Sequence, residues 1–357
     1  MSRAGDTQTY EFLRGLTDRI ISGGVIAREE AERLVRLHTH EEVVMLLGHA
    51  TRLRNRFKGG RVELCAIANA KSGRCTEDCI FCAQSARYAA DVPSYPLREA
   101  AAVIDMARDA ERSGALRFGI VTSGRGVFSA KELAGVCAAI EGICSKTRLT
   151  PCASLGVAGD EQMRRLRRAG LRRYHHNLET AESHFPRVCS SHSYQDRVGT
   201  IRAAKRAGLE ICAGGIFGLG ESRRQRVELA LALRELDVDS VPLNFLSPIR
   251  GTPAEQCPRV APLEILTIIA LFRFVLPAKD IRVCGGRESG LRTLQPLMYL
   301  AGANGTMTGN YLTTSGRDPD IDVQEIRDLA LEVLAPPDDR AVGGSAVTAC
   351  MKRNDGT

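Results

Sequence analysis

Leu64-Cys-Ala-Ile-Ala-Asn-Ala70 runs directly into Lys71-Ser-Gly-Arg-Cys75-Thr-Glu-Asp-Cys79-Ile-Phe-Cys82-Ala-Gln-Ser-Ala-Arg-Tyr88. The first part is a short apolar run of the kind that forms a buried strand, and it leads into three cysteines spaced C-x3-C-x2-C. Similar runs recur at residues 116–122, 149–155, 172–178, 209–217, 240–246, 280–284 and 304–308. Amphipathic helical stretches lie between them, at 99–113, 130–145, 160–169, 195–207, 224–236 and 262–276, several followed by a helix-ending glycine. Strand and helix in alternation call for parallel strands with right-handed crossovers. Eight such units predict an α/β fold, a closed (β/α)8 TIM barrel, with an open doubly wound sheet as the alternative. Residues 1–52 read as an N-terminal helical extension (10–22, 27–38 and 39–52) and 53–320 as the barrel. Residues 321–357 read as a C-terminal helix and a mobile tail, rich in Pro, Asp, Gly and Ser from about 336.

The three cysteines set the chemistry. Thiolates this close can ligate only three irons of a four-iron cubane (4Fe-4S), which leaves one iron open to a small molecule. A structural zinc site wants four closed ligands, and no fourth Cys or His lies near the motif. The chain has 12 cysteines and begins without a charged-then-apolar leader, and no apolar run is long enough to span a bilayer. Free thiols in a cytoplasmic enzyme, as metal ligands or core residues, are the expectation rather than a disulfide framework. The formal charge is +7, yet no basic block is interleaved with aromatics and there is no tryptophan. Neither nucleic acid nor membrane is expected as a partner; the charge leans weakly towards carboxylate-bearing ligands.

A barrel presents its chemistry at the C-terminal ends of its strands, and the fourth strand is the most polar there: Tyr174-His-His-Asn-Leu-Glu-Thr180. Alternation would place His175, Asn177 and Glu179 on one face, with His176 and Leu178 on the other. Successive inward polar groups are costly unless a ligand uses them.

The cysteine motif resembles that of the radical S-adenosylmethionine (SAM) superfamily. Taken with Tyr174–Thr180, Cys212-Ala-Gly-Gly-Ile-Phe-Gly-Leu-Gly-Glu221, Ser240-Val-Pro-Leu-Asn-Phe-Leu246 and Ala301-Gly-Ala-Asn304, it is similar to the biotin synthase family over roughly residues 45–320. The resemblance implies a homodimeric sulfurtransferase that converts dethiobiotin to biotin. Two SAM-derived 5′-deoxyadenosyl radicals would abstract hydrogens from unactivated carbons, a second, sacrificial iron–sulfur cluster would supply sulfur, and flavodoxin or ferredoxin would be the reductant. It further implies that Cys75, Cys79 and Cys82 hold the SAM cluster and that Phe81 covers the adenine. The strand bearing Gly214, Ile216 and Gly218 would also lie against the adenine. Asn177 and Glu179, the latter where the family usually has aspartate, would sit near the ribose, and Arg197 would meet the SAM carboxylate, an exposed helix-capping role being its alternative. Asn177 and Asn244 would read the ureido ring, whose donors and acceptors an amide answers in kind.

The auxiliary cluster departs from the better-known pattern of three strand cysteines and one arginine. Cys152, Cys212 and Arg282 match, but the remaining position is Gly119. Cys284, inward with Arg282, and Cys189, after the fourth strand, are the candidate replacements, and the cluster would be 2Fe-2S or larger. Cys65, Cys137, Cys144, Cys257 and Cys350 read as core or surface thiols. Two other readings remain open: a different auxiliary-cluster radical SAM barrel, such as a hydrogenase maturase or a mutase, and a non-catalytic iron–sulfur carrier or zinc module. Neither needs the two asparagines.

Overall fold

The computed structural model describes residues 3–127, 129–313 and 316–335. The expected tail and Cys350 lie outside them. All strand pairings are parallel, and the order is β1 (Arg61–Lys71), β2 (Arg117–Thr122), β3 (Thr150–Ser154), β4 (Arg173–His175), β5 (Glu210–Cys212), β7 (Ser240–Phe245), β8 (Asp280–Val283) and β9 (Gly305–Met307). β9 then pairs back onto β1, which closes the eight-stranded ring. The fifth stave is split, with β6 (Gly215–Phe217) continuing it against β7. Register runs from Cys212↔Ser240 to Gly215↔Leu243, so the break falls beside Pro242, which has no N–H to give. A Cβ on Gly214 would stand 2.0 Å from the Pro242 carbonyl oxygen, so only glycine passes there.

Helices α4 (Ala100–Arg112), α5 (Ala130–Lys146), α6 (Asp160–Arg168), α7 (Tyr194–Arg206), α8 (Arg223–Glu235) and α9 (Pro262–Val275) form the outer layer. Serine starts three of them: Ser129, Ser193 and Ser222 each accept a hydrogen bond from a first-turn N–H at α5, α7 and α8. Ahead of the barrel come α1 (Arg3–Ile21), α2 (Arg28–Leu34) and α3 (His40–Lys58), the last running past the expected end at 52. Helix α3 packs on α9, which explains why every residue of α9 from Ile265 to Val275 is buried: it faces the barrel on one side and α3 on the other. Arg273, the one charge in that run, is spent on backbone. Its guanidinium donates to the carbonyls of Gly302, Pro277 and Lys279 and to Asn304 Oδ1. Asn304 in turn accepts from the Ile281 N–H, so Asn304 ties β8 to β9 rather than lining the cavity.

Beyond β8 come the short α10 (Arg287–Leu291) and α11 (Leu297–Leu300), then α12 (Pro319–Asp328) and β10 (Glu332–Val333), which pairs with the start of β1. The buried Arg287 makes a two-pronged bridge to Asp322 at 2.8 Å, pinning α12 to α10. Among the described residues no helix is long and apolar enough to cross a membrane.

Candidate active site: one cavity and two sets of thiols

A cavity of about 480 Å³ opens at the C-terminal ends of the strands and reaches into the lumen. Its upper wall is the loop after β1. Backbone bonds from Cys75 N to Gln84 O, from Ala86 N to Cys75 O and from Cys82 N to Cys79 O fold that loop so that all three thiols face the cavity. Arg74 takes a left-handed φ of 51°, and the Gln84 side chain accepts from Gly73 N, which together turn the chain into the loop. Burial raises the Cys75 thiol and pushes Cys82 up to about 11. Cys79 is raised by a hydrogen bond with Cys189 and by burial. Burial thus disfavours the thiolate forms, and a metal that binds here must displace the thiol protons. Phe81 is also on the wall.

The fourth stave brings His175, Asn177 and Glu179 to the cavity, as alternation predicts, but His176 also reaches its wall. The departure has a local cause. β4 ends at His175, and Glu179 sits at φ 69°, held by Ile216 N donating to its carbonyl at 2.7 Å. Asn177 Oδ1 accepts from Gly214 N and its Nδ2 donates to Glu179 Oε2. Arg197 is no exposed cap: it is 7% exposed, its Nη1 donates to Asn177 O and Glu179 Oε1, and its buried Nε has no partner. Asn244 Nδ2 donates to Gly215 O and its Oδ1 accepts from Gly285 N. Each asparagine thus keeps one N–H and one lone pair for something else. Of the expected adenine-side strand, Ile216 lines the cavity; Gly214 and Gly218 do not. Gly214 instead admits Pro242, and a Cβ on Gly218 would meet Val260 and Leu246.

Within the lumen, Cys152, Cys212, Arg282 and Cys284 share the cavity, and Cys65 joins them. Cys65, expected like Cys137, Cys144, Cys257 and Cys350 to be a core or surface thiol, instead lines the lumen. The hydrogen bond from Cys284 and the Arg282 guanidinium hold Cys65 below the ordinary thiol range against burial, while the same bond and burial push Cys284 up. Gly119 pairs in register with Cys152 and Ile67 and lines the cavity, and a Cβ there would press on the Ile67 side chain at 3.1 Å. Below the thiols, first or early strand residues form an ionic floor. Glu63 accepts from Arg282 and Arg117, and Glu210 pairs with Arg173 at 2.8 Å. Arg282 Nε donates to Ser240, yet its buried Nη1 has no partner.

Cys189 is not part of this set. Its Sγ lies 3.7 Å from Cys79 Sγ, beside the upper loop, because Asp78 accepts from the N–H groups of Ser190 and Ser191 and draws the segment after the fourth stave onto the cysteine loop. The expectation that Cys189 completes the auxiliary cluster is corrected by this placement.

Two family models match the chain. Residues 70–233 match the Radical SAM superfamily, and residues 242–332 match the Biotin and Thiamin Synthesis associated domain. The chain is 51% identical over 322 residues to the biotin synthase of Pelobacter propionicus and 52% identical over 322 residues to that of Geobacter sulfurreducens. Each alignment covers 90% of this chain and 98% of the relative. Among solved structures, methylornithine synthase superposes with a TM-score of 0.79 at 20% identity, covering 91% of this chain and 99% of that one. That likeness shows the barrel alone.

Proposed function

The chain belongs to the biotin synthase family of radical SAM enzymes, and we propose that its cavity converts dethiobiotin to biotin with sulfur from an auxiliary cluster held in the lumen. The observation that carries this reading is that two groups of thiols, one in the loop after β1 and one within the strands, share a single cavity with Asn177 and Asn244.

Cys75, Cys79 and Cys82 would hold the 4Fe-4S cluster, and the unpartnered Nε of Arg197 suits the carboxylate of SAM. Cys65, Cys152, Cys212 and Cys284 would hold the auxiliary cluster. The orphaned Nη1 of Arg282 supports this, since a buried donor without a partner fits an anionic sulfide or ligand that the cavity is built to take. Four thiols are enough for the four terminal places of two tetrahedral irons, and they suit a larger cluster equally. When bound, these groups supply a hydrogen-abstracting radical and the sulfur. The chain's own part is to position and exclude. Asn177 and Asn244, fixed by backbone on one side, offer the remaining N–H and lone pair to the ureido ring. Ile67, Val121 and Met307 on the same wall keep water from the aliphatic carbons. The +7 charge suits a small acidic electron carrier of the flavodoxin or ferredoxin kind.

Anaerobic reconstitution with iron and sulfide, followed by incubation with SAM, reductant and dethiobiotin, tests the reading. We expect 5′-deoxyadenosine and biotin together; 5′-deoxyadenosine without biotin would exclude it.

A further inference from the structure

Cys189 and His192 have no place in the chemistry above, yet both are buried and aimed at a cluster thiol. Cys189 is 5% exposed, as is the His192 side chain. One ligand atom each from Cys79, Cys189 and His192 all lie within 4.8 Å of one another. Two thiolates on a single tetrahedral ion, each about 2.3 Å from it, stand about 3.8 Å apart. The Cys79 and Cys189 sulfurs are 3.7 Å apart. Thiolates on neighbouring irons of a cubane stand much farther apart, so this pair is shaped for one ion and not for two corners of one cluster.

The surroundings support the same reading. Glu77 Oε2 lies 2.6 Å from His192 Nδ1, the carboxylate–histidine pairing that fixes an imidazole and leaves its other nitrogen for a metal. That other nitrogen, Nε2, is 3.8 Å from Cys189 Sγ, and the Glu77-bound Nδ1 is 3.3 Å from it. Asp78 Oδ1, 3.2 Å from the same sulfur, already accepts from Ser190 N and Ser191 N, so the fourth ligand would be water. Two thiolates and an imidazole form a borderline-soft set that takes Fe2+, Co2+ or Zn2+ in preference to Mg2+ or Ca2+.

We propose that the cluster-free chain holds one divalent transition-metal ion, Fe2+ or Zn2+, on Cys79, Cys189 and His192, and that this ion must leave Cys79 before the cubane is built there. Binding forms two metal–sulfur bonds and one metal–nitrogen bond and releases the thiol protons to solvent, with no change of oxidation state. Only the second half of the proposal rests on Cys79 being a cluster ligand.

Cobalt is the probe. The full-length, cluster-free, reduced chain is titrated anaerobically with Co2+, and the thiolate-to-cobalt and tetrahedral d–d bands are read. We expect Cys189→Ser to lose one equivalent of this signal, His192→Gln to bind that equivalent at least about tenfold more weakly, and Cys75→Ser to keep it. Cobalt bound in the lumen is common to all four proteins and cancels in the comparison. Full signal in Cys189→Ser, or loss of the same equivalent in Cys75→Ser, overturns the site; His192→Gln carries the test if Cys189→Ser does not fold. In a second arm, preloaded Zn2+ should slow cluster assembly in the unaltered chain but not in Cys189→Ser. Equal slowing defeats the competition, whereas no assembly in either protein indicts the cluster assignment instead.

Discussion

Cys65 lines the lumen, whereas Cys189 lies outside it beside Cys79. Replacing Cys65 or Cys284 by Ser should lower iron and sulfide content and stop biotin formation while 5′-deoxyadenosine still forms, because both thiols belong to the lumen set. Cys75→Ala should abolish SAM cleavage instead. A Cys65→Ser protein with a full metal complement and normal biotin yield would return Cys65 to a packing role. Asn244→Ala should weaken dethiobiotin binding by about 1–3 kcal/mol, measured by titration, the cost of a buried partner left unpaired. It should spare uncoupled SAM cleavage, and equal loss of both would make the residue structural. The three-cysteine motif, Asn177 and Glu179 reach the cavity as spacing and alternation lead one to expect, and Cys284 reaches it beside Arg282, which the family resemblance supplied. Cys65 lay inside the first strand, but one strand does not say which of its faces is the lumen. That follows only once β8 brings Cys284 against it. Cys189 depended on a loop path that periodicity does not report, and the Asp78 carboxylate that sets the path acts 111 residues away in sequence.

At the scale of elements, the barrel strands and most barrel helices fall where hydrophobic periodicity puts them, and α9 stands apart because its run from Ile265 to Val275 is buried on every side. What periodicity could not show is the split fifth stave, a consequence of Pro242 on the neighbouring strand, and the shortness of β4. The Gly214-x-Ile216-x-Gly218 pattern likewise serves strand packing at Gly214 more than ligand contact. Helix α12 is held by a pair that neither burial nor charge in its own sequence announces: Asp322 and Arg287 are 0% and 1% exposed as side chains. Removing one member leaves a buried charge alone, so Asp322→Ala should cost about 3–5 kcal/mol in denaturant unfolding. A change under about 1 kcal/mol would mean that water reaches Arg287 freely.

For the whole molecule, the barrel joins an ionic floor to a cavity lined with buried histidines, and both make it acid-sensitive. Burial, with Arg197 next, holds His176 well below its ordinary range. Its folded pKa is depressed, so the unfolded chain binds the proton first, and stability is full above about pH 6.5 and falls below it. Glu63 and Asp280 are held low by their arginine neighbours against burial, with Lys58 also acting on Asp280; their contribution is lost only as pH falls through the carboxylate range. The urea midpoint should therefore begin to drop below pH 6.5. His176→Gln should flatten that slope by up to about 1.4 kcal/mol per pH unit; an unchanged slope would show that His176 charges freely in the fold.

The central claim is that the thiols within the strands carry the sulfur donor while those after β1 carry the radical chemistry. Reconstituting the chain with 34S-labelled sulfide, removing excess sulfide and weighing the biotin from a single turnover by mass spectrometry tests it most directly. We expect 34S in the biotin of the unaltered protein, and 5′-deoxyadenosine with no biotin from Cys284→Ser. Biotin carrying unlabelled sulfur, or labelled biotin made at full yield without Cys284, would contradict it.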